Sequence, residues 1–512
     1  MTVHGDAPGT DPQGAQGGER GAPEAINAAT LTSDSLVAGI GQLGAMVAGM
    51  ALAVLMPRLM GPRDYGLWIL FRSLILVLTT GTMLGTQQVM SRFYGSWGEE
   101  RPPLADHLLK SVAFFRFVVV LLAAVAAFAL TPRVGGGAFG GAVGGWAALA
   151  VWMRGTAITG LVLLYGARAM VSIAVLQVLM GTLGPLGALL GRQASGFGGV
   201  PPACAAAETV TLLAAAWLAR RWLAWPHGWL PRERLRRLIR FGGVIAIASL
   251  GANLFVDAAI CLAPALGATP AQVAYLGLST RLDAVLLTGL LSINRAMLPA
   301  LSRVADRGQM ERSVHWLGLL ARAGATLLMP ALGLLPLLGR PVIRLVWGAD
   351  FEAALPVMVL SMAGALPVWL GASHVTLAML TGRAGLQLTG VVAMYAGFAV
   401  GLLVAAPLDP ARRLAVAMGL GAAANMTALA IGLRRAGCIC PRLDRLWIPL
   451  LVTAVPVILL PRGIALAPGV ALALCWLIVY MLTVGTSRFV TREEAARLFT
   501  HAHTALRARR SR

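Results

Sequence analysis

The sequence is poor in charged residues, which make up only 12% of its 512 positions. An ordinary soluble domain carries about a quarter. Hydrophobic residues fill 58% of the chain, and the mean hydropathy is +0.76. So few polar side chains cannot cover the surface of a folded chain of this size in water. The composition therefore excludes a soluble globular protein and predicts an integral membrane protein.

Acidic residues are the scarcest charged class, with 21 Asp+Glu against 42 Lys+Arg and a formal net charge of +21. In a soluble protein this excess would indicate a nucleic-acid partner. Here the basic residues form short clusters separated by apolar runs, which is typical of cytoplasmic loops between membrane helices. We therefore expect no nucleic-acid partner.

Cysteine is also rare. Cys204, Cys261 and Cys475 lie in apolar runs, where a free Cys is usually a small buried hydrophobe. Cys438 and Cys440 are too close together for a Cys-x-x-Cys pair, and no His lies near them. The sequence also lacks the usual hydrolase, metalloprotease and P-loop motifs. We expect no metal site, no disulfide framework, no cofactor and no enzymatic activity.

Apolar runs long enough to span a bilayer, which takes about 20 residues, occur fourteen times. They are 35–57, 67–90, 112–131, 146–165, 171–190, 203–219, 241–266, 273–299, 316–338, 354–380, 387–406, 414–433, 446–460 and 465–486. No segment alternates with period two over the length of a barrel strand. The sequence thus predicts an all-α polytopic membrane protein with about 14 transmembrane helices.

The loops predict how the chain is oriented. Residues 1–33 are rich in Gly, Ala and Pro and lack the features of a signal peptide, so we predict a disordered cytoplasmic tail. Lys and Arg concentrate on the side of the membrane that holds both termini, which predicts cytoplasmic termini in a plasma (bacterial inner) membrane. The basic loop 220–240, rich in Trp, is either an ordinary cytoplasmic linker or a segment lying on the anionic inner leaflet.

The two halves of the chain share an ordered set of features. Tyr65-Gly66 opens helix two and Arg72 follows, while Tyr275 opens helix eight and Arg281 follows. These matches favour two six-helix lobes in parallel pseudo-repeat, although chance similarity in apolar sequence is the alternative. The division is an N-lobe, a basic linker, a C-lobe, two extra helices and a basic cytoplasmic tail at 34–219, 220–240, 241–433, 434–486 and 487–512.

Nine ionisable residues fall inside or at the ends of the predicted spans, where each is costly and therefore a functional candidate. Six are predicted to line a cationic substrate cavity: Arg72, Arg116, Arg154, Arg281, Arg295 and Arg322. Three are predicted to couple ions or to form ion pairs: Asp257, Asp283 and Glu208. A cavity with this excess of Arg would attract an anion, and the guanidinium fork suits phosphate.

Depth in the membrane separates these candidates. Asp257, Arg281 and Asp283 are expected near mid-bilayer, where an ion pair between Asp257 and Arg281 would join adjacent helices. Such a pair is either a structural lock or part of a polar cavity wall or cation site. Three others lie near a cytoplasmic end, where their stems reach the interface and a structural role is equally expected: Arg116, Arg295 and Arg322.

Three segments resemble the polysaccharide flippases of the MOP exporter superfamily, the Wzx-type O-antigen transporters. Residues 59–75, LMGPRDYGLWILFRSLI, are similar to the first hairpin of that family. Residues 255–285 and 345–364 resemble its helix seven and eight segment and its entry into helix ten. Asp257 and Arg281 fall on positions that match the family pattern. Ala258 departs from it, because a basic residue commonly follows the Asp in that family.

The resemblance implies two six-helix lobes around a central cationic cavity. It implies alternating-access transfer of a polyprenyl-diphosphate-linked oligosaccharide, an O-antigen or exopolysaccharide repeat unit, with H⁺ or Na⁺ as the candidate coupling ion and membrane lipids as further partners. A drug or cation antiporter of the same superfamily and a peptidoglycan-precursor (lipid II) flippase stay open. A membrane polysaccharide polymerase or ligase is disfavoured, since it would need a long external loop.

Overall fold

All regular secondary structure in the part of the chain that the computed structural model describes is helical. That part comprises residues 28–90, 102–135, 137, 139–167, 169–220, 231–306, 308–383, 385–441, 447–459 and 466–486. The predicted C-terminal tail 487–512, residues 221–230 of the predicted linker and residues 1–27 of the predicted N-terminal tail lie outside the described residues.

Thirteen long helices follow one another along the described chain. They are α1 (Ala28–Gly81), α2 (Pro102–Val134), α3 (Gly141–Gly166), α4 (Met170–Ser195), α5 (Val200–Ala219), α6 (Arg232–Leu262), α7 (Pro270–Asp306), α8 (Met310–Val346), α9 (Leu355–Leu380), α10 (Gly385–Val404), α11 (Pro410–Arg435), α12 (Trp447–Leu459) and α13 (Leu466–Thr486). A break divides α1 in two, which makes fourteen helical segments besides the short helix Thr86–Val89 and three 3₁₀ turns of the described chain. Eight described stretches are long and apolar enough to cross a membrane, and three shorter apolar helices accompany them. The predicted all-α polytopic fold is confirmed.

The break in α1 is sharper than the sequence indicates. We expect a short turn after Gly61 and a second helix that begins at Tyr65, but the helical conformation is interrupted only at Gly61, with φ 75° and ψ 167°. A residue with a side chain adopts such a positive φ at a cost, whereas glycine does so freely. Pro62 follows at once and suits the first turn of the new helix. The N-terminal arm, residues 28–60, and the C-terminal arm, residues 62–81, therefore meet at one residue.

The C-terminal arm of α1 packs directly against α7, and the two helices carry the matched motifs of the two halves. Gly66 lies so close to α7 that an added Cβ would collide with the backbone of Pro270. Gly277 of α7 lies against Ile69, where an added Cβ would be 2.7 Å from Cγ2. Each helix thus approaches the other through a glycine near the start of its motif.

Two matched tyrosines share one aromatic neighbour at the same end of this helix pair. The ring of Tyr65 lies 6.2 Å from that of Phe351, and the ring of Tyr275 lies 6.1 Å from it. Phe351 belongs to the 3₁₀ turn Ala349–Ala354 that precedes α9. This turn therefore packs over the junction between the two halves.

The last two helices attach to the C-terminal half through α8. Trp476 of α13 donates its Nε1–H to the carbonyl of Val452 in α12 at 3.1 Å. The hydroxyl of Tyr480 donates to the carbonyl of Thr326 in α8 at 3.4 Å. Both aromatic rings are buried, so α12 and α13 are fastened to the bundle by packing as well as by polar contacts.

Candidate functional site

A central cavity of about 260 Å³ lies between α1, α4 and α7, where the two halves meet. Both arms of α1 contribute to it, and α4 adds Gly181 and Pro185. Its lining is Gly49, Leu52, Ala53, Met56, Tyr65, Trp68, Arg72, Gly181, Pro185, Arg281, Ala284, Val285 and Thr288. Two arginines are the charged members of this lining, and no carboxylate of the described residues belongs to it.

Arg72 and Arg281 are the matched arginines of the two repeats, and the fold brings them to one cavity. Arg72 comes from the C-terminal arm of α1 and Arg281 from α7, the two helices that pack together. The guanidinium carbon of Arg72 lies 5.5 Å from the centre of the Trp68 ring, within the range of a cation–π contact. The aromatic face stabilises the charge without supplying a counter-ion, and the described cavity lining adds no carboxylate.

The three predicted carboxylates each have a polar partner. Glu208 of α5 forms an ion pair with Arg154 of α3 at 2.6 Å. Asp257 of α6 accepts a hydrogen bond from the hydroxyl of Ser73 at 2.8 Å. Asp283 of α7 accepts one from Ser361 of α9.

The ion pair that sequence reasoning considered for Asp257 and Arg281 is not present among the described residues. Asp257 instead bonds to Ser73, which follows Arg72 along α1. That bond joins α6 of one half to α1 of the other, so Asp257 connects the two halves next to the cavity. Arg281 is left facing the cavity.

A second, smaller cavity of about 20 Å³ adjoins the central one. Arg72, Arg154 and Glu208 all line it. Trp68, Arg72 and Pro185 line both cavities and so form the partition between them. Arg154 therefore lies one layer of side chains away from the central cavity.

Arg116 of α2 is far more deeply embedded than the sequence predicts. Its side chain is fully buried instead of reaching the interface. It donates to Thr159 Oγ1 at 2.9 Å, and to the carbonyl of Thr82 and to Thr86 Oγ1 at 3.2 Å each. A further bond reaches the carbonyl of Gly155 at 3.2 Å. This network ties α2 to α3 and to the segment that follows α1, and Arg116 lines neither of the two cavities.

The other two predicted cavity arginines lie in the C-terminal half. Arg322 of α8 donates through Nε to the carbonyl of Gly318 at 3.4 Å and lines neither of the two cavities. Arg295 falls on α7, but its side chain lies outside the described part of the structure. The fold therefore brings Arg72 and Arg281 together, sets Arg154 beside them, and places Arg116 and Arg322 elsewhere.

The sequence analysis did not predict that aromatic side chains line the cavity, because it took only ionisable and amide side chains in the spans as candidates. Tyr65 and Trp68 precede Arg72 by seven and four residues. Positions i, i−4 and i−7 share one face of a helix. This spacing is the signal that could have assigned both rings to the wall that holds Arg72.

No family model matches this chain, and no curated protein sequence matches it either. Solved structures do match. The lipid II flippase MurJ in an inward closed conformation superposes with a TM-score of 0.66 at 11% identity, over 88% of this chain and 98% of MurJ. The MATE transporter VcmN of Vibrio cholerae, in a form that carries one substitution, gives a TM-score of 0.57 at 15% identity, over 80% of this chain and 96% of its own.

A third similar structure is a MOP superfamily transporter from Pyrococcus furiosus, described as having a binding pocket of reverse polarity. Its TM-score is 0.53 at 14% identity, over 79% of this chain and 96% of that one. At such low identity these comparisons establish the fold alone. The chain therefore has the helical architecture of MOP superfamily transporters along most of its length.

Proposed function

We propose that this protein is a membrane transporter that flips a polyprenyl-diphosphate-linked oligosaccharide across the plasma membrane by alternating access. The observation that carries the proposal is the charge of the central cavity. Arg72 and Arg281 line it, and none of the predicted carboxylates belongs to its lining. A site between two repeated lobes is where transporters of this plan bind their substrates.

The chemistry of the cavity suits a diphosphate. Two guanidinium groups in one cavity bind phosphate oxygens by charge-assisted hydrogen bonds, which are stronger than those between neutral groups. Pockets for drug-sized ligands have volumes of about 300–1,000 Å³. A cavity of about 260 Å³ is slightly below that range. In this conformation it would hold the diphosphate and exclude most of the oligosaccharide.

Two alternatives differ in how they fit this site. A drug or cation antiporter would need a carboxylate facing the cavity, and the lining of this cavity has none among the described residues. A lipid II flippase would use the same diphosphate chemistry, and a structure of this kind of protein is similar to the chain. The choice between an O-antigen or exopolysaccharide unit and lipid II rests on the sequence resemblance described above.

The proposal includes the predicted orientation, with both termini in the cytoplasm. The cavity would receive the lipid head from the inner leaflet and release it at the outer one, with the polyprenyl tail remaining among membrane lipids. H⁺ or Na⁺ is the candidate coupling ion. Because the substrate is moved and not changed, the protein is proposed to have no catalytic residues.

The test is a flipping assay with the purified full chain in liposomes. A fluorescent polyprenyl-diphosphate oligosaccharide is incorporated, and its appearance in the outer leaflet is followed with a quencher that does not cross the bilayer. Hydrogen bonds to charged groups contribute about 1.5–3 kcal/mol, so Arg72→Met and Arg281→Met should each slow flipping by roughly 10- to 150-fold.

The control is Arg413→Met, because Arg413 donates to the carbonyl of Leu402 in α10 and does not line the cavity. Its flipping rate should match that of the wild type. If both cavity variants also flip at the wild-type rate, the cavity assignment is wrong. Faster transport of a cationic dye than of the lipid would favour the antiporter, and a preference for lipid II would favour the peptidoglycan precursor.

A further inference from the structure

The ion pair between Arg154 and Glu208 is buried but incompletely bonded. Arg154 Nη1 lies 2.6 Å from Glu208 Oε1, and the two side chains are 13% and 7% exposed. Arg154 Nε and Glu208 Oε2 are both buried and have no hydrogen-bond partner within the described chain. A pair that served only to lock two helices would be expected to have its remaining polar atoms satisfied, since each unsatisfied one is costly.

The space beside this pair is large enough to accept an oxygen atom. The small cavity of about 20 Å³ is lined by Arg154, Glu208 and Arg72. A volume of about 10–15 Å³ is enough for one water-sized group. Arg72 also faces the central cavity. Only the shared wall of Trp68, Arg72 and Pro185 would therefore separate a phosphate bound in the central cavity from Arg154.

The helix behind Arg154 is weakened at this point. Pro185 lies inside α4 and has no N–H, so it cannot donate to the carbonyl of Gly181 in the usual helical bond. Gly181 and Pro185 both line the central cavity. Arg154 reaches α4 only through a long bond of 3.4 Å to the carbonyl of Met180. The ion pair with Glu208 is therefore the main contact that holds the Arg154 side chain in place.

We propose that a diphosphate bound by Arg72 and Arg281 draws Arg154 away from Glu208, which makes Arg154 the third guanidinium of the site. Glu208 is then a displaceable counter-ion and acts as a positioning residue. The proposal rests on the proposed function, because the ligand is a diphosphate.

The energetic reason is competition between two anions for one cation. A buried ion pair gains little over its cost of desolvation, so a ligand with more negative charge than one carboxylate can displace Glu208. A phosphate diester of the surrounding lipids carries a single negative charge and would compete less well. The pair would therefore select diphosphates over the far more abundant phospholipid heads.

The experiment measures binding of inorganic pyrophosphate and inorganic phosphate to the purified full chain in detergent, by titration calorimetry. Glu208→Gln removes the competing charge, so pyrophosphate should bind about tenfold more tightly, within the 5- to 150-fold range of typical coupling between sites. The ratio of pyrophosphate to phosphate affinity should fall at the same time. Adding Arg154→Met to Glu208→Gln should abolish the gain.

The matched control is Glu352→Gln. Glu352 also forms an ion pair, with Arg340 at 2.7 Å, but it lies on the 3₁₀ turn before α9 and lines neither of the two cavities. Pyrophosphate affinity should not change in this variant. If Glu208→Gln does not fold, Glu208→Asp keeps the charge but shortens the side chain by one methylene, and it should give a smaller gain.

The two proposals fail in different variants. Unchanged or weaker pyrophosphate binding in the folded Glu208 variant, with Arg72→Met still reducing it, overturns the counter-ion role alone. A gain that persists after Arg154→Met also overturns it, because the released cation would then not be Arg154. Wild-type affinity in Arg72→Met contradicts the proposed function, and no binding to the wild type contradicts both.

Discussion

Gly66 offers a direct way to test whether the contact between α1 and α7 closes one end of the cavity. The residue lies in the C-terminal arm of α1, where an added Cβ would collide with the carbonyl of Pro270 and would be 3.1 Å from the amide nitrogen of Ala274. Both neighbours are backbone atoms of α7, which cannot rotate aside as a side chain would. Gly66→Ala therefore forces the two helices apart.

The expected magnitude follows from this collision. Inserting one methyl group into a well-packed contact costs about 1–3 kcal/mol. In a protein that alternates between two states, this cost falls on the state in which α1 and α7 touch. At 1.4 kcal/mol per factor of ten, the equilibrium should move toward the separated state by roughly 5- to 150-fold. The better helix propensity of alanine acts equally in both states and does not change the ratio.

The assay is labelling of a cysteine in the cavity. Thr288 lines the cavity, and Thr288→Cys is made in a chain whose native cysteines are replaced by alanine. A maleimide that does not cross membranes is added from the side of Gly61, predicted to be external. Gly66→Ala should raise the labelling rate severalfold or more. Gly81→Ala is the control, since Gly81 is on the same arm and an added Cβ meets nothing within 4 Å.

An unchanged labelling rate in a folded Gly66→Ala protein would refute the reasoning. It would mean either that the helices absorb the methyl group without parting or that this contact does not limit access. An equal increase of the labelling rate in Gly81→Ala would also contradict the prediction, because the effect would then come from helix propensity and not from the collision with α7.

The remaining predictions concern stability and are measured by thermal unfolding in detergent. Arg116→Met should lower the midpoint strongly, because each carbonyl left without its donor costs about 1–3 kcal/mol. Arg412→Met should have little effect, since the Arg412 side chain is 40% exposed in its ion pair. Trp369→Ala should cost about 3–5 kcal/mol, because the ring is 2% exposed and its Nε1–H bonds to α8 at 2.8 Å. Val368 precedes Trp369 and is 41% exposed, so Val368→Ala should change the unfolding midpoint little.

The helical fold could be predicted almost completely from the sequence, because membrane spans depend on local composition and length. Even the two shortest predicted spans, 203–219 and 446–460, coincide with α5 and α12. The first hairpin was predicted less well. Its loop reduces to Gly61, because a single glycine with positive φ can redirect a helix without ending the run of helical hydrogen bonds around it.

The matched spacing of the two halves also predicts that Arg72 and Arg281 are counterparts, and both line the central cavity. The rise per residue sets how deep a side chain lies once one end of its helix is known. The position of a side chain along its helix can therefore be predicted from the sequence alone. The rotation of each helix about its axis is not, because it depends on which neighbours the helix packs against.

That rotation decided the polar contacts of the site. Asp257 bonds to Ser73, 184 residues away, and Arg154 pairs with Glu208, 54 residues away. Arg116 faces a ring of threonines and backbone carbonyls inside the bundle and not the interface. The sequence by itself predicted which charges fall on apolar helices and how far each lies from the end of its helix. Only the packing of the helices decided which of them face the cavity and which are held by a partner.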